Sequence, residues 1–144
     1  MKYVGYGVVL LAVLGVGAFF YLGLKSQGGA APGLAEGRLV PCPASPNCAS
    51  SEAGAPEEIA IEPLPVGAWA ELPTLIVNMG GDVTKRSDSY LSAEFTSNTF
   101  KFVDDVEFRL AEDGVHVRSA SRVGYSDAGV NSARVATLRE KLGG

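Results

Sequence analysis

Two alternating segments on either side of Asp113-Gly114 constrain the fold of this chain more than any other feature. Apolar residues recur at every second position around this dipeptide, at Val106, Phe108, Leu110, Val115 and Val117. Such alternation predicts two strands, and Asp-Gly predicts the turn of a β-hairpin because both residues tolerate positive φ angles. A two-residue loop would pair residue 110 with residue 117, whereas a four-residue loop would pair it with residue 115. A three-residue loop is excluded, because it would place His116 and Arg118 opposite the apolar set.

Either register gives the hairpin one buried face and one polar face. The buried face carries the apolar residues with Ser119 and Ser121, and the polar face carries Asp105, Glu107, Arg109, His116, Arg118, Ala120 and Arg122. With a two-residue loop, Asp105 lies opposite Arg122, and Glu107 is diagonal to Arg118 and Arg122. This pattern predicts either a solvated face with cross-strand ion pairs or an anion site built on Arg118 and Arg122. Guanidinium groups suit such a site because they bind carboxylate and phosphate in a bidentate manner.

Residues 3–24 form an uncharged run of 22 residues between Lys2 and Lys25. About 20 apolar residues span the roughly 30 Å hydrocarbon core of a bilayer, whereas a cleaved signal peptide has a shorter apolar region. The run therefore predicts a single-pass signal anchor over residues 1–25 that crosses the membrane with residues 4–24. Ala30-Ala31 offers a weak cleavage site, which leaves removal of the segment as the alternative. The flanking lysines barely decide the orientation of the anchor.

The two cysteines, Cys42 and Cys48, lie close together in the Pro-rich loop PCPASPNC. An even number of cysteines in an exported domain predicts one disulfide bond, with inert free thiols as the alternative. A disulfide favours an extracytoplasmic domain, in the periplasm or an organelle lumen. No metal or cofactor is expected, because His116 is the sole histidine and two cysteines cannot complete a zinc shell. The net charge of −4 and the lack of a basic patch argue against nucleic acid as a partner.

A linker and one domain follow the apolar run. Residues 26–38 are rich in glycine and alanine and predict a flexible linker, and residues 39–144 are long enough for one soluble domain. Apolar residues at three- and four-residue spacing predict a helix with one buried stripe, formed by Trp69, Leu72, Leu75, Ile76 and Met79. This helix either begins near Leu72, with Pro73 in its first turn, or is kinked at the proline.

The sequence pattern of the rest of the domain predicts strands followed by a helix. Alternation predicts strands over residues 83–86 and 90–96, ahead of the hairpin. A final helix follows, with Ser126 or Asp127 as its cap and Val130 in its buried stripe. The order predicts an α+β fold, in which an N-terminal transmembrane helix precedes a small domain of about four antiparallel strands. Two helices pack on one face of the sheet, and the other face is expected to be open.

Three segments in this order resemble the DUF1499 family: CPASPNCASS (42–51), DDVEF (104–108) and RSASRVGYSDAGVN (118–131). The resemblance covers roughly residues 39–142, essentially the whole soluble part. The function of the family is unassigned, so the resemblance implies an architecture and a surface rather than an activity. The chain departs from the family pattern at Ala128, where leucine is more usual, and at Ser132-Ala133, where basic residues are usual.

The polar face and the last family segment supply the candidate ligand-binding residues, which are Asp105, Glu107, Arg118, Arg122, Tyr125, Asp127 and Asn131. Because helix N-termini attract anions, the two arginines and the start of the final helix are candidates to converge on one ligand. A structural role, with Asp127 as a cap and Asn131 bonded to the loop backbone, would explain the same residues.

The sequence therefore favours a single-pass membrane-anchored envelope protein with a binding or scaffold domain. Its expected partner, besides the membrane, is an anionic small molecule, a lipid headgroup or an envelope protein. The alternative is a hydrolase or transferase that uses Asp105 or Glu107 with the two arginines. No nucleophile motif or phosphate loop is present, so no catalytic residue is assigned.

Overall fold

The computed structural model describes residues 2–143, so Met1 and Gly144, the outer ends of the predicted anchor and domain, lie outside the described residues. The chain begins with a helix, α1 (Lys2–Ser26), which is long and apolar enough to cross a membrane. Only 6% of its most apolar window is buried against the rest of the protein. A helix that is apolar all round and this exposed needs an apolar environment. The boundaries 1–25, 26–38 and 39–144 stay a prediction.

Within residues 2–143, seven strands follow α1 and form two antiparallel sheets. The small sheet pairs β1 (Leu34–Ala35) with β2 (Arg38–Leu39), and the main sheet contains β3 (Cys48–Ser50), β4 (Asp82–Arg86), β5 (Tyr90–Thr96), β6 (Val103–Ala111) and β7 (Gly114–Ser121). The main sheet has the spatial order β3-β7-β6-β5-β4. It contains one strand more than expected, because part of the cysteine loop pairs with the end of β7 as β3.

The hairpin β6–β7 adopts the register in which Leu110 faces Val115. The alternative pairing of residue 110 with residue 117 is therefore wrong. Gly114 is required beside the turn, because a Cβ atom there would lie 2.9 Å from the carbonyl oxygen of Leu64. The division into a buried and a polar face is confirmed, because the two registers differ by two residues and leave each side chain on the same face.

Two helices cover the buried face of the main sheet. A 3-10 helix (Val66–Ala70) leads into α2 (Leu72–Asn78), and α3 (Val130–Lys141) ends the fold. Pro73 lies in the first turn of α2, so the helix begins at Leu72 and does not bend around the proline. Val130, expected in the buried stripe of the last helix, is instead half exposed. The core between sheet and helices includes Leu72, Ile76, Leu91, Val106, Phe108, Val115, Val117, Val135 and Leu138. The α+β class is thus confirmed.

Residues 27–39, which we call the strap, cross the polar face of the main sheet. Gly33 donates its backbone N–H to Glu107 Oε1 at 2.8 Å. A Cβ atom at Gly29 would lie 2.8 Å from Arg122 Cδ, so glycine lets the strap pass this closely. The expectation of an open face is therefore wrong, because the backbone of a small-residue segment covers it.

Candidate functional site

Glu107 lies at the centre of the polar face and is completely buried. Its Oε1 accepts hydrogen bonds from the Tyr90 hydroxyl at 2.7 Å and from the Gly33 N–H at 2.8 Å. Its Oε2 accepts one from Arg118 Nη1 at 3.1 Å, across the β6–β7 pair. Burial and the bond to Glu107 raise the pKa of Tyr90, so its hydroxyl stays a donor. Glu107 thus ties the strap to β5 and β7.

Arg122 forms a second buried ion-pair group, at the end of the sheet next to α1. Its Nε and Nη2 donate to the two carboxylate oxygen atoms of Asp105, each at 2.7 Å. Nη2 also contacts the Glu94 carboxylate, and Nη1 donates to the carbonyl oxygen of Ser26 at 3.1 Å. The bonds to Asp105 and then Glu94 raise the pKa of Arg122 above its usual value. Every nitrogen of this guanidinium group is therefore engaged within the protein.

Glu52 is the centre of a third ion-pair group, which lies between the strap and β6. Its carboxylate accepts from Arg109 Nε at 2.7 Å and Nη2 at 3.0 Å. It also accepts from Arg38 Nε at 3.1 Å and from the Leu39 N–H at 3.1 Å. Burial alone would raise the pKa of Glu52, but these bonds, led by those from Arg109, lower it to about 2. Glu52 is thus a charged anchor point for the strap.

Among residues 2–143, four arginines and four carboxylates form the ion pairs of the polar face, in which Glu52 is shared by Arg38 and Arg109 and Arg122 contacts both Glu94 and Asp105. The set comprises Arg38, Arg109, Arg118 and Arg122 with Glu52, Glu94, Asp105 and Glu107. A ligand anion would have to displace one of these internal carboxylates, because each guanidinium group already donates to one. Within the described chain, Arg118 Nε alone is a buried side-chain polar atom without a hydrogen-bond partner. The geometry gives no support to an accessible anion site on Arg118 and Arg122.

Asp127 and Asn131 organise the start of α3, on the other face of the main sheet. The Asp127 carboxylate accepts from the Gly129 N–H at 3.0 Å and the Asn131 N–H at 2.8 Å, so it caps the helix as predicted. Burial acts to raise the pKa of Asp127, but these backbone bonds lower it overall. The buried Asn131 amide donates to Asp127 Oδ2, Asn47 O and Ser121 Oγ. Asn131 therefore joins the cysteine loop, β7 and α3.

Asp104 and Arg134 form an ion pair beside this cluster. Arg134 Nη2 donates to Asp104 Oδ2 at 2.7 Å, and Nη1 donates to Asn131 Oδ1 at 2.7 Å. The guanidinium group also lies over the Phe95 ring, 4.7 Å from its centroid. Asp104 therefore points toward α3, whereas its neighbour Asp105 points toward the strap.

The structure distributes the seven predicted site residues over three places. Four lie on the polar face beneath the strap: Asp105, Glu107, Arg118 and Arg122. Asp127 and Asn131 lie at the start of α3, and Tyr125 is 75% exposed in the preceding loop. The arginines and the helix start are not brought together, because alternate residues of β7 point to opposite faces.

The C-terminal end of α1 packs against the loop between β5 and β6, residues 97–102. The Phe100 ring lies 5.2 Å from the Phe19 ring and 5.1 Å from the Phe20 ring, measured between centroids. The loop passes so close to the helix that a Cβ atom at Gly23 would lie 1.6 Å from the carbonyl oxygen of Phe100. Glycine is therefore required at this position for the contact to form.

Ser26 fixes the same junction through hydrogen bonds. It is 1% exposed, and its hydroxyl donates to Gly23 O at 2.6 Å and accepts from the Val103 N–H at 3.0 Å. Its carbonyl oxygen accepts from Arg122, as described above. The last turn of α1 is therefore an integral part of the domain.

A cleft of about 240 Å³, which we call the juxtamembrane cleft, lies between α1 and the end of the main sheet. Its apolar walls include Phe19, Leu22, Phe102, Val123 and Val130. Its polar walls include Asp104, Ser121, Ser126 and Asp127. Within the described chain, Asp104 and Asp127 are thus the only ionisable side chains that line this cleft. They lie opposite the apolar wall that α1 contributes.

A larger cleft, of about 440 Å³, lies between the strap and the cysteine loop. Glu36, Arg38 and Glu52 line it, and the last two are bonded to each other. Cys42 and Cys48 form the predicted disulfide bond beside it, with their Cα atoms 5.8 Å apart. Across residues 2–143, no group of three or more His, Cys, Asp and Glu side chains is arranged to hold a metal ion.

Sequence reasoning missed residues whose partners lie far along the chain. They are Ser26, Glu52, Glu94, Phe100 and Arg134. Phe100 carried a signal, since Phe100 and Phe102 place two large apolar rings just after the turn-forming pair Ser97-Asn98, and turns rarely need such rings. The others are ordinary polar residues in the sequence, and no spacing rule points to their partners.

The fold and these contacts define a class of protein: a small α+β domain bonded to the last turn of an apolar helix that is long enough to span a membrane. More particularly, the chain belongs to the DUF1499 family. The sequence profile of that family, described as "Protein of unknown function (DUF1499)", matches residues 38–142 and so confirms the resemblance. No curated protein and no solved structure matches the chain.

Proposed function

We propose that this protein is a permanently membrane-anchored, extracytoplasmic domain that binds a lipid headgroup in the juxtamembrane cleft. The observation that carries the proposal is that α1 forms one wall of this cleft and the domain forms the other. A molecule in the cleft would touch Phe19 and Leu22 of the apolar run as well as the polar side chains of the domain. A lipid of the adjacent leaflet has the same division into apolar chains and polar headgroup.

The contacts of Ser26 support an anchor that is retained rather than cleaved. Cleavage at Ala30-Ala31 would remove Ser26 and take the acceptors from the Val103 N–H and from one N–H of Arg122. A buried donor that loses its partner costs about 1–3 kcal/mol. A retained α1 keeps both bonds, which favours an anchor over a cleaved leader.

The Cys42–Cys48 disulfide supports an extracytoplasmic domain. Disulfide bonds persist in oxidising compartments and are rare in the cytosol. Since the disulfide and the cleft both follow α1, the cleft would face the outer leaflet of the membrane that α1 crosses.

The lining of the cleft favours a headgroup that donates hydrogen bonds over an anionic one. Asp104 Oδ2 is already paired with Arg134, and Asp127 accepts from the start of α3, but carboxylate oxygen atoms have further lone pairs that accept from ammonium and hydroxyl groups. Neither carboxylate can donate to an anion. The arginines that an anionic ligand would need are bound to internal carboxylates on the other face. An ammonium or hydroxyl headgroup is therefore the chemistry that fits.

A hydrolase or transferase acting through Asp105 and Glu107 has little support. A general base must come within hydrogen-bond reach of its substrate. Both carboxylates are buried beneath the strap and are bonded to arginines. Catalysis through them would require the strap to leave the sheet.

The test uses the full chain in nanodiscs of phosphatidylcholine that contain a minor share of a second lipid with a photoactivatable acyl chain. Three such lipids are compared in separate nanodiscs. Phosphatidylethanolamine supplies an ammonium group, a neutral glycolipid supplies hydroxyl groups, and phosphatidic acid is anionic. We expect cross-links to phosphatidylethanolamine or the glycolipid, in peptides that contain Val123. Cross-links to phosphatidic acid alone, or capture of an envelope protein without any lipid, would contradict the proposal.

Two valines provide a matched pair of variants. Val130 and Val66 each begin a helix and are 49% and 48% exposed, but only Val130 lines the juxtamembrane cleft. We expect Val130→Trp to fill the cleft and reduce cross-linking about tenfold, which corresponds to about 1.4 kcal/mol of binding free energy. Val66→Trp should leave cross-linking unchanged. Equal cross-linking in the two variants, at equal thermal stability, would show that the lipid binds elsewhere.

A further inference from the structure

We infer that the loop of residues 97–102 inserts into the bilayer surface beside α1 and forms a second membrane contact. The inference rests on the anchoring part of the proposed function and is independent of which ligand the cleft binds. It assigns Phe100 and Phe102 to the boundary between the headgroups and the acyl chains.

The depth of the loop follows from the positions of Phe19 and Phe20 in α1. They precede Leu24, the last residue of the apolar run, by five and four residues. At 1.5 Å per residue they lie about 7 and 6 Å inside the end of that run. The run is about 33 Å long and the hydrocarbon layer is about 30 Å thick, so little of the run can project into water. The Phe100 ring packs on both rings and must therefore share their depth.

The composition of the loop suits this depth. Phe100 and Phe102 are only half-buried against the protein, so part of each ring remains free to contact lipid. Lys101, between them, is exposed, and a lysine at this boundary extends its ammonium group to the lipid phosphates. Lys25 follows the apolar run at the same end of α1 and supplies a second positive charge.

The ends of the loop are closed by hydrogen bonds that low-polarity surroundings require. The Ser97 N–H donates to Phe102 O at 2.8 Å, and the Phe102 N–H donates to Ser97 Oγ at 2.9 Å. The Ser26 hydroxyl lies 3.4 Å from Lys101 O. Because unpaired backbone groups are costly in hydrocarbon, the backbone of residues 98–101 belongs among the headgroups, and the rings of Phe100 and Phe102 extend below it.

Two contacts fix the orientation of the domain in a way that one helix cannot. A single helix allows the domain to rotate and tilt above the bilayer, whereas a second insertion point holds the end of the sheet against it. The juxtamembrane cleft, which shares Phe19 and Phe102 with this contact, is then held at the level of the lipid headgroups.

Tryptophan quenching by brominated lipids measures the depth of the loop directly. The full chain, with Trp69→Phe to remove its only tryptophan, is reconstituted in vesicles with Phe100→Trp, with Phe102→Trp, or with Glu112→Trp in the exposed turn of the hairpin. For the first two we expect about a twofold loss of emission with lipids brominated near the headgroup, and a smaller loss with lipids brominated near the chain ends. The third variant should show no loss.

Flotation of the vesicles separates failure of this inference from failure of the proposed function. If the protein does not float with the vesicles, both the anchor and this inference are overturned. If it floats but tryptophan at positions 100 and 102 is quenched no more than at position 112, this inference alone is overturned. If quenching occurs as expected while Val130→Trp retains its cross-linked lipid, the inference stands and the cleft proposal fails. Equal urea midpoints for all variants confirm that each has folded.

Discussion

Glu107→Gln removes one charge from a completely buried ion pair and keeps the shape of the side chain. The glutamine still accepts hydrogen bonds from Tyr90 and Gly33, but its amide group faces Arg118 Nη1 where a carboxylate oxygen was. Removing one partner of a buried pair costs about 3–5 kcal/mol, because an uncompensated charge remains. Arg118 is only 7% exposed, so water screens that charge poorly. For a domain of about 100 residues, this loss lowers Tm by at least about 12 °C.

The assay is thermal unfolding of the full chain in detergent micelles, followed by near-UV circular dichroism. This signal reports the packing of Trp69 and the tyrosines, whereas the far-UV signal includes α1, which stays helical in the micelle. Glu112→Gln, in the exposed turn, is the control and should change the free energy of unfolding by less than about 0.5 kcal/mol. A double variant, Glu107→Gln with Arg118→Met, should recover most of the loss, because no buried charge remains and the glutamine still accepts from Tyr90 and Gly33.

A small effect of Glu107→Gln would refute the reasoning. If Tm fell by less than about 4 °C, the pair would contribute under about 1 kcal/mol, as exposed ion pairs do. The polar face would then be hydrated in solution, and the strap would not exclude water from Arg118. The solvated face that the sequence also allowed would be the correct description.

Two further predictions concern Glu52 and Gly23. Since the pKa of Glu52 falls from 4.5 to about 2 on folding, its bonds contribute stability that is fully present above about pH 4.5 and is lost as the pH falls toward 2. Arg109→Gln should weaken this acid dependence in urea titrations, and an unchanged dependence would contradict the assignment. Gly23→Ala should displace residues 97–102, at a cost of about 1–3 kcal/mol, and speed tryptic cleavage after Lys101 by at least about fivefold. Gly17→Ala, where an added Cβ meets nothing within 4 Å, should cleave at the wild-type rate, and equal rates in both variants would disprove the junction.

The faces of the sheet were predictable although the register was not. The two possible registers differ by two residues, so each side chain stays on the same face in both. Leu110 faces apolar partners in either pairing, so the buried face was correct even though one of the two registers was wrong. The helix start at Leu72 was predictable as well, because proline is favoured only in the first turn. The disulfide followed from two cysteines close together in a domain that the sequence predicts to be exported.

The covered polar face was not predictable, because the strap binds through its backbone. Nothing in the side chain of a glycine indicates that Gly33 will donate to a carboxylate 74 residues away. β3 was not predictable either, because the Pro-rich cysteine loop shows no alternation of apolar and polar residues that would indicate its pairing with β7. The expected link between the arginines and the helix start failed because it used proximity along β7 and ignored that adjacent residues point to opposite faces.

The strap also sets an order of events during synthesis. Ser26 and Gly33 are made early, but their partners Arg122 and Glu107 lie 96 and 74 residues later in the chain. The polar face can close only after the hairpin β6–β7 has left the ribosome, and contacts of such long separation form slowly. Until then the carboxylates and arginines of the nascent domain stay hydrated, whereas α1 can form its own backbone hydrogen bonds as soon as it is made. A chaperone that bound the nascent chain would therefore meet a finished helix attached to an unfinished sheet.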